Sequence, residues 1–298
     1  MIVFTGIPLI LMLFFAFSTI KSFSIYTFKL SDFSFEIANL TKLWDVSFIK
    51  TFTRSLLYAL VATILCLLLG YPIAYFVSRS NFKNKYLFLL IFLMPMWTNM
   101  LLRIQTINNL LSENSFLTNV FGLTINLSDY KSLKIIAVMT VVYLPFMIFP
   151  IYTVLEKVDK SLFEASNDLG AGAVKTFFKV TLPNSLKGIY SGIMMVFLPA
   201  AMGFTIPYVV TDGDTRYTMV GQLIERQFKG SITFFNTGSM WSLIIIILVL
   251  GSLYVISKVD EEGETLLWWK IIKLRLPLYV QDKFKNIHIK HFKFYSYH

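Results

Sequence analysis

Long apolar blocks alternate with short polar connections along the 298-residue chain. Six stretches, roughly 2–20, 55–77, 86–103, 133–155, 189–210 and 240–257, are apolar enough to cross a hydrocarbon core, which takes about 20 helical residues. Each is expected to be helical, because backbone amides in lipid must be satisfied within their own segment. The pattern predicts an all-α integral membrane protein with six transmembrane helices. A single membrane domain is expected over 1–257, followed by a basic tail over 258–298. The first stretch lacks a basic leader and a small-residue cleavage site, so it reads as a true helix rather than a signal peptide.

Several of the stretches carry breakers, and these concentrate in the third to fifth. Pro95 falls in the third, Pro145 and Pro150 in the fourth, and Pro199, Gly203 and Pro207 in the fifth. Proline removes a backbone donor and kinks a helix. In a membrane such breaks are tolerated where a neighbour or a cavity satisfies the freed groups, and broken helices often line a translocation path. The other reading is that the kinks only help helices pack. Their concentration in three consecutive spans favours a path.

Composition agrees with the pattern. Hydrophobic residues make up 56% of the chain and charged residues 15%, with 29 phenylalanines. A soluble domain typically holds about 25% charged residues. The formal net charge is +10, and the basic residues are scattered between apolar blocks, which fits loops held at the cytoplasmic face of a lipid bilayer better than nucleic-acid binding. Segments 78–85, 156–188 and 258–298 together hold 16 of the 27 Lys and Arg residues. That bias predicts that both termini are cytoplasmic. Cys66 is the only cysteine and sits in an apolar run. His288, His291 and His298 all lie at the end of the chain, so the body carries no histidine-based catalytic or metal site. No phosphate-binding G-x-x-x-x-G-K-[ST] loop occurs, and no buried acid or histidine of the proton-relay kind sits in a span. No cofactor is implied.

The segment 156–188 is too polar to span and reads as two short amphipathic helices around a glycine break. Asp159 suits an N-cap. Leu162, Phe163 and Leu169 then form an apolar stripe, with Ser166 at the same spacing. Gly170 falls where the chain must turn. Val174, Phe177 and Phe178 are expected on one face of a second helix that Leu182-Pro183 ends. Such an element needs a soluble partner to cover it.

Within this loop stand Glu164-Ala165-Ser166, three residues, Gly170, nine residues, then Val180-Thr181-Leu182-Pro183. This resembles the Glu-Ala-Ala-x3-Gly-x9-Ile-x-Leu-Pro loop of ATP-binding-cassette importer permeases, with Ser166 and Val180 as the two departures. The resemblance implies the type I importer permease fold. It also implies a coupling role for Glu164, Ala165, Ser166, Gly170, Val180, Leu182 and Pro183 against a separate ATPase, and no bond chemistry in this chain.

Three further stretches resemble the spermidine/putrescine permeases of this class, and within them the first permease type. They are Gly70-Tyr71-Pro72-Ile73-Ala74-Tyr75-Phe76; Met94-Pro95-Met96-Trp97-Thr98-Asn99 with Arg103-Ile104; and Leu144-Pro145-Phe146-Met147 leading to Glu156-Lys157-Val158-Asp159-Lys160. That resemblance implies two copies of an ATPase, a second homologous permease, an extracytoplasmic polyamine-binding protein and a bacterial inner-membrane location.

The residues themselves support a cationic cargo only weakly. Thr98 and Asn99 beside Pro95 are pore candidates, while Trp97 and Tyr143 offer either cation–π faces or aromatic packing. Asp212, Asp214 and Glu225 read first as solvated loop acids and second as groups that attract amines. Another solute, or an ion-coupled secondary carrier, remains open at this point.

Overall fold

The computed structural model describes residues 2–20, 33–35, 45–80, 85–112, 130–159, 161–229, 235–251 and 254. The basic tail 258–298 lies outside the described residues. Residues 1–246 form one compact unit and 247–298 a second, of which 247–251 and Tyr254 are described.

The first stretch is helix α1, Ile2–Phe17, followed by a three-residue strand β1, Ser18–Ile20. That strand pairs antiparallel with β2, Phe33–Phe35, an element the apolar pattern does not announce.

Helix α2 runs Val46–Arg79, much longer than 55–77. Its start is set by Asp45, whose Oδ1 accepts from Ser47 N–H at 2.8 Å. At 34 residues it is about 51 Å long, so it outruns a hydrocarbon core of about 30 Å. One face of α2 carries small buried groups, Ala59, Ala62, Cys66, Gly70 and Ala74. The opposite face presents Leu57, Leu60, Ile64 and Leu68, all exposed. In water such a face is a liability, whereas in lipid it is the solvated surface.

The third stretch does not form a straight span. Helix α3, Lys85–Leu93, passes through a 3-10 turn, Met94–Trp97, and the chain then bends by 110° into α4, Met100–Leu110. By contrast, α5, Lys131–Glu156, is one continuous helix through both Pro145 and Pro150, so the interruption expected there is absent.

After the polar loop, α8, Leu182–Met202, stops at Gly203, and α9, Thr205–Val210, restarts after a two-residue break. A short amphipathic helix α10, Val220–Lys229, and an apolar helix α11, Phe235–Gly251, follow.

Among the described residues, three helices are long and apolar enough to cross a membrane: Val46–Arg79, Lys131–Glu156 and Ala173–Met202. The bent pair Leu90–Trp97 with Met100–Leu110 makes a fourth if it counts as one span. Gly6–Phe17 and Phe235–Gly251 are apolar but shorter. Each of the six expected segments thus contains a helix, but the third and fifth are broken and the outer two helices are short.

The core is the contact of α2, α5 and α8. Gly188 and Gly192, four apart on α8, bring its backbone onto α5. A Cβ at Gly188 would stand 2.8 Å from Pro150 O and 2.9 Å from Ile151 Cα. This small-x-x-x-small approach suits helix pairs in a membrane, where packing replaces hydrophobic drive. Gly70 of α2 similarly meets Met147 and Ile148, while the Cys66 thiol donates to Thr140 O at 3.3 Å. A second cluster forms where Trp241 stacks on Phe48 at 5.0 Å, beside Val220.

Candidate functional site

The polar loop folds as a helical hairpin. Asp159 caps α6, Ser161–Asp168, accepting from Ser161 N–H at 3.0 Å. The helix closes in a Schellman motif: Gly170 N–H donates to Asn167 O at 2.8 Å and Ala171 N–H to Ser166 O at 3.0 Å. Gly170 has φ +69°, which only glycine adopts without strain, and a Cβ there would meet nothing within 4 Å. The need for glycine is therefore set by the backbone and not by crowding inside this chain. Ser166 Oγ and Thr176 Oγ1 lie 2.9 Å apart and hold the two arms together. Glu164 and Ala165 are exposed on α6.

The second arm departs from expectation. Helix α7, Ala173–Thr176, leads into a π turn, Phe177–Thr181, in which Leu182 N–H reaches back five residues to Phe177 O. The chain then continues directly as α8, so Leu182-Pro183 does not end the helix. The wider π spacing just before Pro183 eases the clash that a proline makes with the carbonyl four residues back. Val180 is half-buried and its carbonyl accepts from Asn184 Nδ2 at 2.7 Å; Leu182 packs against the core. Val174 and Phe178, four apart, share the exposed face at 73% and 60% exposure. Phe177 instead turns inward, edge-on to Tyr71 at 5.7 Å and Tyr75 at 6.0 Å. With Leu169, 76% exposed, these residues make an uncovered apolar tip. A shallow groove of about 540 Å³ beside it is lined by Gly172, Ala173, Val174, Lys175, Phe178 and Lys179.

Contacts that the sequence did not single out fasten this hairpin to α2. The Arg79 guanidinium lies 3.4 Å over the Phe163 ring, and Tyr71 Oη and Ser185 Oγ are 3.0 Å apart. Tyr71, Tyr75 and Arg79 recur every fourth residue, a spacing visible in the sequence but masked there by the apolar run around it.

The candidates for a path fall into two groups. At the 110° bend, Pro95 O accepts from Thr98 Oγ1 at 2.7 Å and Arg103 Nη1 at 3.0 Å, and Asn99 caps α4 through Leu101 N–H at 2.8 Å. Thr98 and Asn99 thus shape the bend. Trp97 is 80% exposed.

The second group sits where α8 breaks. Buried Tyr143 donates to Pro199 O at 3.3 Å, and α9 packs on both α4 and α5, so the segments that follow the two breaks meet. Beyond α9, Asp212 adopts φ +54° and Asp214 caps the 3-10 turn Thr215–Tyr217. Asp214 is held by Lys131 Nζ at 3.2 Å and Arg216 Nη2 at 2.9 Å. The hydrogen bonds from Arg216, aided by Lys131, keep its carboxyl well below the usual carboxylate range. That carboxylate is already doubly neutralised, which weakens its case as an amine attractor. Arg54 of α2 secures the same turn by donating to the carbonyls of Arg216 and, at 3.3 Å, Thr218; Ser55 Oγ accepts from Val220 N–H at 2.7 Å. Among the described residues, no hydrogen bond, ion pair or ring contact joins Trp97 to Tyr143, Asp212 or Asp214. No cluster of potential metal ligands occurs among the described residues either.

Comparison with known proteins gives this architecture a family. Residues 67–258 match the model of the binding-protein-dependent transport system inner membrane component. The chain is 36% identical over 202 residues to the spermidine/putrescine transport system permease protein PotB of Escherichia coli (strain K12), covering 65% of this chain and 72% of that protein. It is 34% identical over 233 residues to the PotB of Haemophilus influenzae, covering 76% and 79%. Among solved structures, an amino acid ABC transporter crystallised with histidines aligns with a TM-score of 0.52 at 16% identity, over 77% of this chain and 99% of that one. A bacterial alginate ABC transporter, in complex with an alginate pentasaccharide-bound periplasmic protein, aligns with a TM-score of 0.57 at 14% identity, over 76% and 83%. The fold is that of ABC importer permeases, and the chain belongs to the binding-protein-dependent transport system inner membrane components.

Proposed function

We propose that this chain is one of two homologous permease subunits of an ATP-driven polyamine importer in a bacterial inner membrane. Two copies of a separate ATPase and an external polyamine-binding protein complete the assembly. The chain makes and breaks no bonds; its work is to alternate between outward- and inward-open arrangements.

The observation that carries the coupling role is the hairpin 159–181, closed by its own backbone bonds yet bare at its apolar tip. Leu169, Val174 and Phe178 are each worth roughly 1.5–3 kcal/mol once fully buried, so covering them is a substantial drive for a soluble partner to dock. Glu164, Ala165, Ser166 and Gly170 shape this docking element, and Val180, Leu182 and Pro183 join it to α8. Both termini are assigned to the same cytoplasmic side as the hairpin. Spermidine or putrescine as cargo rests on the relatives named above. For the path we assign the break region around Pro95, Trp97, Thr98, Asn99 and Tyr143, with Asp212 and Asp214 at its outer rim.

Uptake of labelled spermidine and putrescine in cells lacking the chain, before and after its restoration, tests this reading. Gly170→Asp is the control. Aspartate is strained at this φ but is among the residues that occasionally adopt left-handed backbone, and there is space for its side chain, so the variant is expected in the membrane but without uptake. Normal import by that variant would remove the docking role. A restored chain that carries neither amine would remove polyamine as cargo.

A further inference from the structure

We propose that the Tyr71–Tyr75–Arg79 stripe of α2 is the linkage through which the hairpin drives the membrane helices, with Arg79 the positioning residue for α6; this rests on the docking role given to the hairpin above. The hairpin has two arms, and they reach the membrane domain differently. The second arm is covalently continuous with α8 through the π turn. The first arm, α6, follows α5 through the short link 157–160 without unbroken helix, and its backbone packs chiefly beside α7 and the π turn. Among the described residues, Phe163 of α6 lies beneath Arg79 of α2, at 3.4 Å from ring centroid to guanidinium carbon.

Three features make that contact suited to transmitting displacement. Arg79 is in the last turn of a single 34-residue helix, unbroken through Pro72, so a push at its end is passed along one element whose small-residue face is packed against α5. A cation in that position is also favoured by the carbonyl end of the helix. Next, the guanidinium is planar and weakly hydrated, so it stacks on a ring where an ammonium would keep its water. Among the described residues its Nε and Nη2 are shut off from solvent and find no hydrogen-bond partner, while the guanidinium lies against the Phe163 ring face. Finally, the same stripe holds the other arm. Tyr71 and Tyr75 grip Phe177 edge-on, and Tyr71 Oη meets Ser185 Oγ at the start of α8. One row of side chains, four residues apart, thus touches α6, the π turn and α8. Movement of the docked hairpin is delivered to α2 and α8 together.

The test uses the full complex in proteoliposomes, loaded with the binding protein and labelled spermidine or putrescine. Solute imported per ATP hydrolysed is the readout, with co-purification of the ATPase as the measure of docking. Arg79→Met keeps the stem and removes the charge; Phe163→Leu keeps apolar bulk and removes the π face. Each is expected to retain the ATPase on purification and to lower solute per ATP roughly fivefold or more, the scale of a partly desolvated cation–π contact. The double variant should fall no further than either single one, and Phe163→Trp should restore the ratio. A wild-type ratio in Arg79→Met would overturn the linkage, as would losses that multiply in the double variant. Gly170→Asp separates the two ideas. If it docks and imports normally, the hairpin reading itself falls. If it is dead while Arg79→Met is normal, only the stripe falls.

Discussion

The α5–α8 crossing makes an unequal demand on its two glycines, and Gly188→Ala and Gly192→Ala measure it. At Gly188 the new methyl would face fixed backbone, 2.8 Å from Pro150 O and 2.9 Å from Ile151 Cα, a shortfall of about 0.6 Å on an ordinary 3.4 Å contact. Neither atom can move alone, so the helices must part. A gap of that order forfeits a quarter or more of the dispersion along the seam, and overpacking of this kind costs about 1–3 kcal/mol. Against this, alanine is the better helix former by about 1 kcal/mol. The net loss at 188 is therefore about 0–2 kcal/mol. At Gly192 the closest atom is Met147 Sδ at 2.7 Å, the end of a flexible thioether that can swing aside; the nearest backbone atom is 3.3 Å away. There the helix-forming gain offsets the cost, and the net change stays within about 0.5 kcal/mol. Thermal unfolding of the detergent-solubilised chain, read as the monodisperse fraction surviving each temperature, should place Gly188→Ala up to about 8 °C below wild type, with Gly192→Ala close to wild type. Equal midpoints for the two variants, or a lower one for Gly192→Ala, would refute the argument that backbone contact at Pro150 sets the crossing.

The outer turn and the bend give two further expectations. Because Arg216 and Lys131 hold the Asp214 carboxyl below its ordinary value, its contribution is full above the unfolded carboxylate range and is lost as pH falls through the lower folded value. The stability gap between wild type and Asp214→Asn should thus stay constant from about pH 8 to 5 and shrink only below about pH 4, and a gap that closes between pH 7 and 5 would contradict this. At the bend, Asn99→Ala should lower the unfolding midpoint, since losing the α4 cap costs about 1 kcal/mol. Trp97→Ala should leave that midpoint unchanged while altering polyamine uptake; unaltered uptake in both variants would remove this region from the path.

Much of this architecture was legible in the order of residues, and the misses have physical causes. The hairpin was readable because Asp159, the apolar stripe and Gly170 are local signals whose meaning needs no tertiary partner. The true start of α2 was not, because Lys50 and Arg54 interrupt the apolar run. Arg54 is tolerated in a helix here because it donates to the carbonyls of Arg216 and Thr218, more than 160 residues away in sequence. Prolines alone did not separate breaks from through-helices. Pro95 stands at a bend because Thr98 and Asn99 follow it with side chains that satisfy the freed backbone. Pro145 and Pro150 lie inside intact α5, whose close packing with α2 and α8 surrounds them. The inward turn of Phe177, away from Phe178, depends on the π turn and on Tyr71 and Tyr75, none of which a helical wheel of the loop alone supplies.

The empty space around Gly170 bears on genetics. Among the described residues, nothing but the flanking chain lies within 4 Å of where a side chain at 170 would begin, so no packed neighbour there offers itself for trimming. Second-site revertants of Gly170→Asp that restore docking rather than relax the strained backbone should therefore map outside this gene, in the partner subunit whose cleft is proposed to receive the hairpin. The positions they alter would trace the wall of that cleft from the far side.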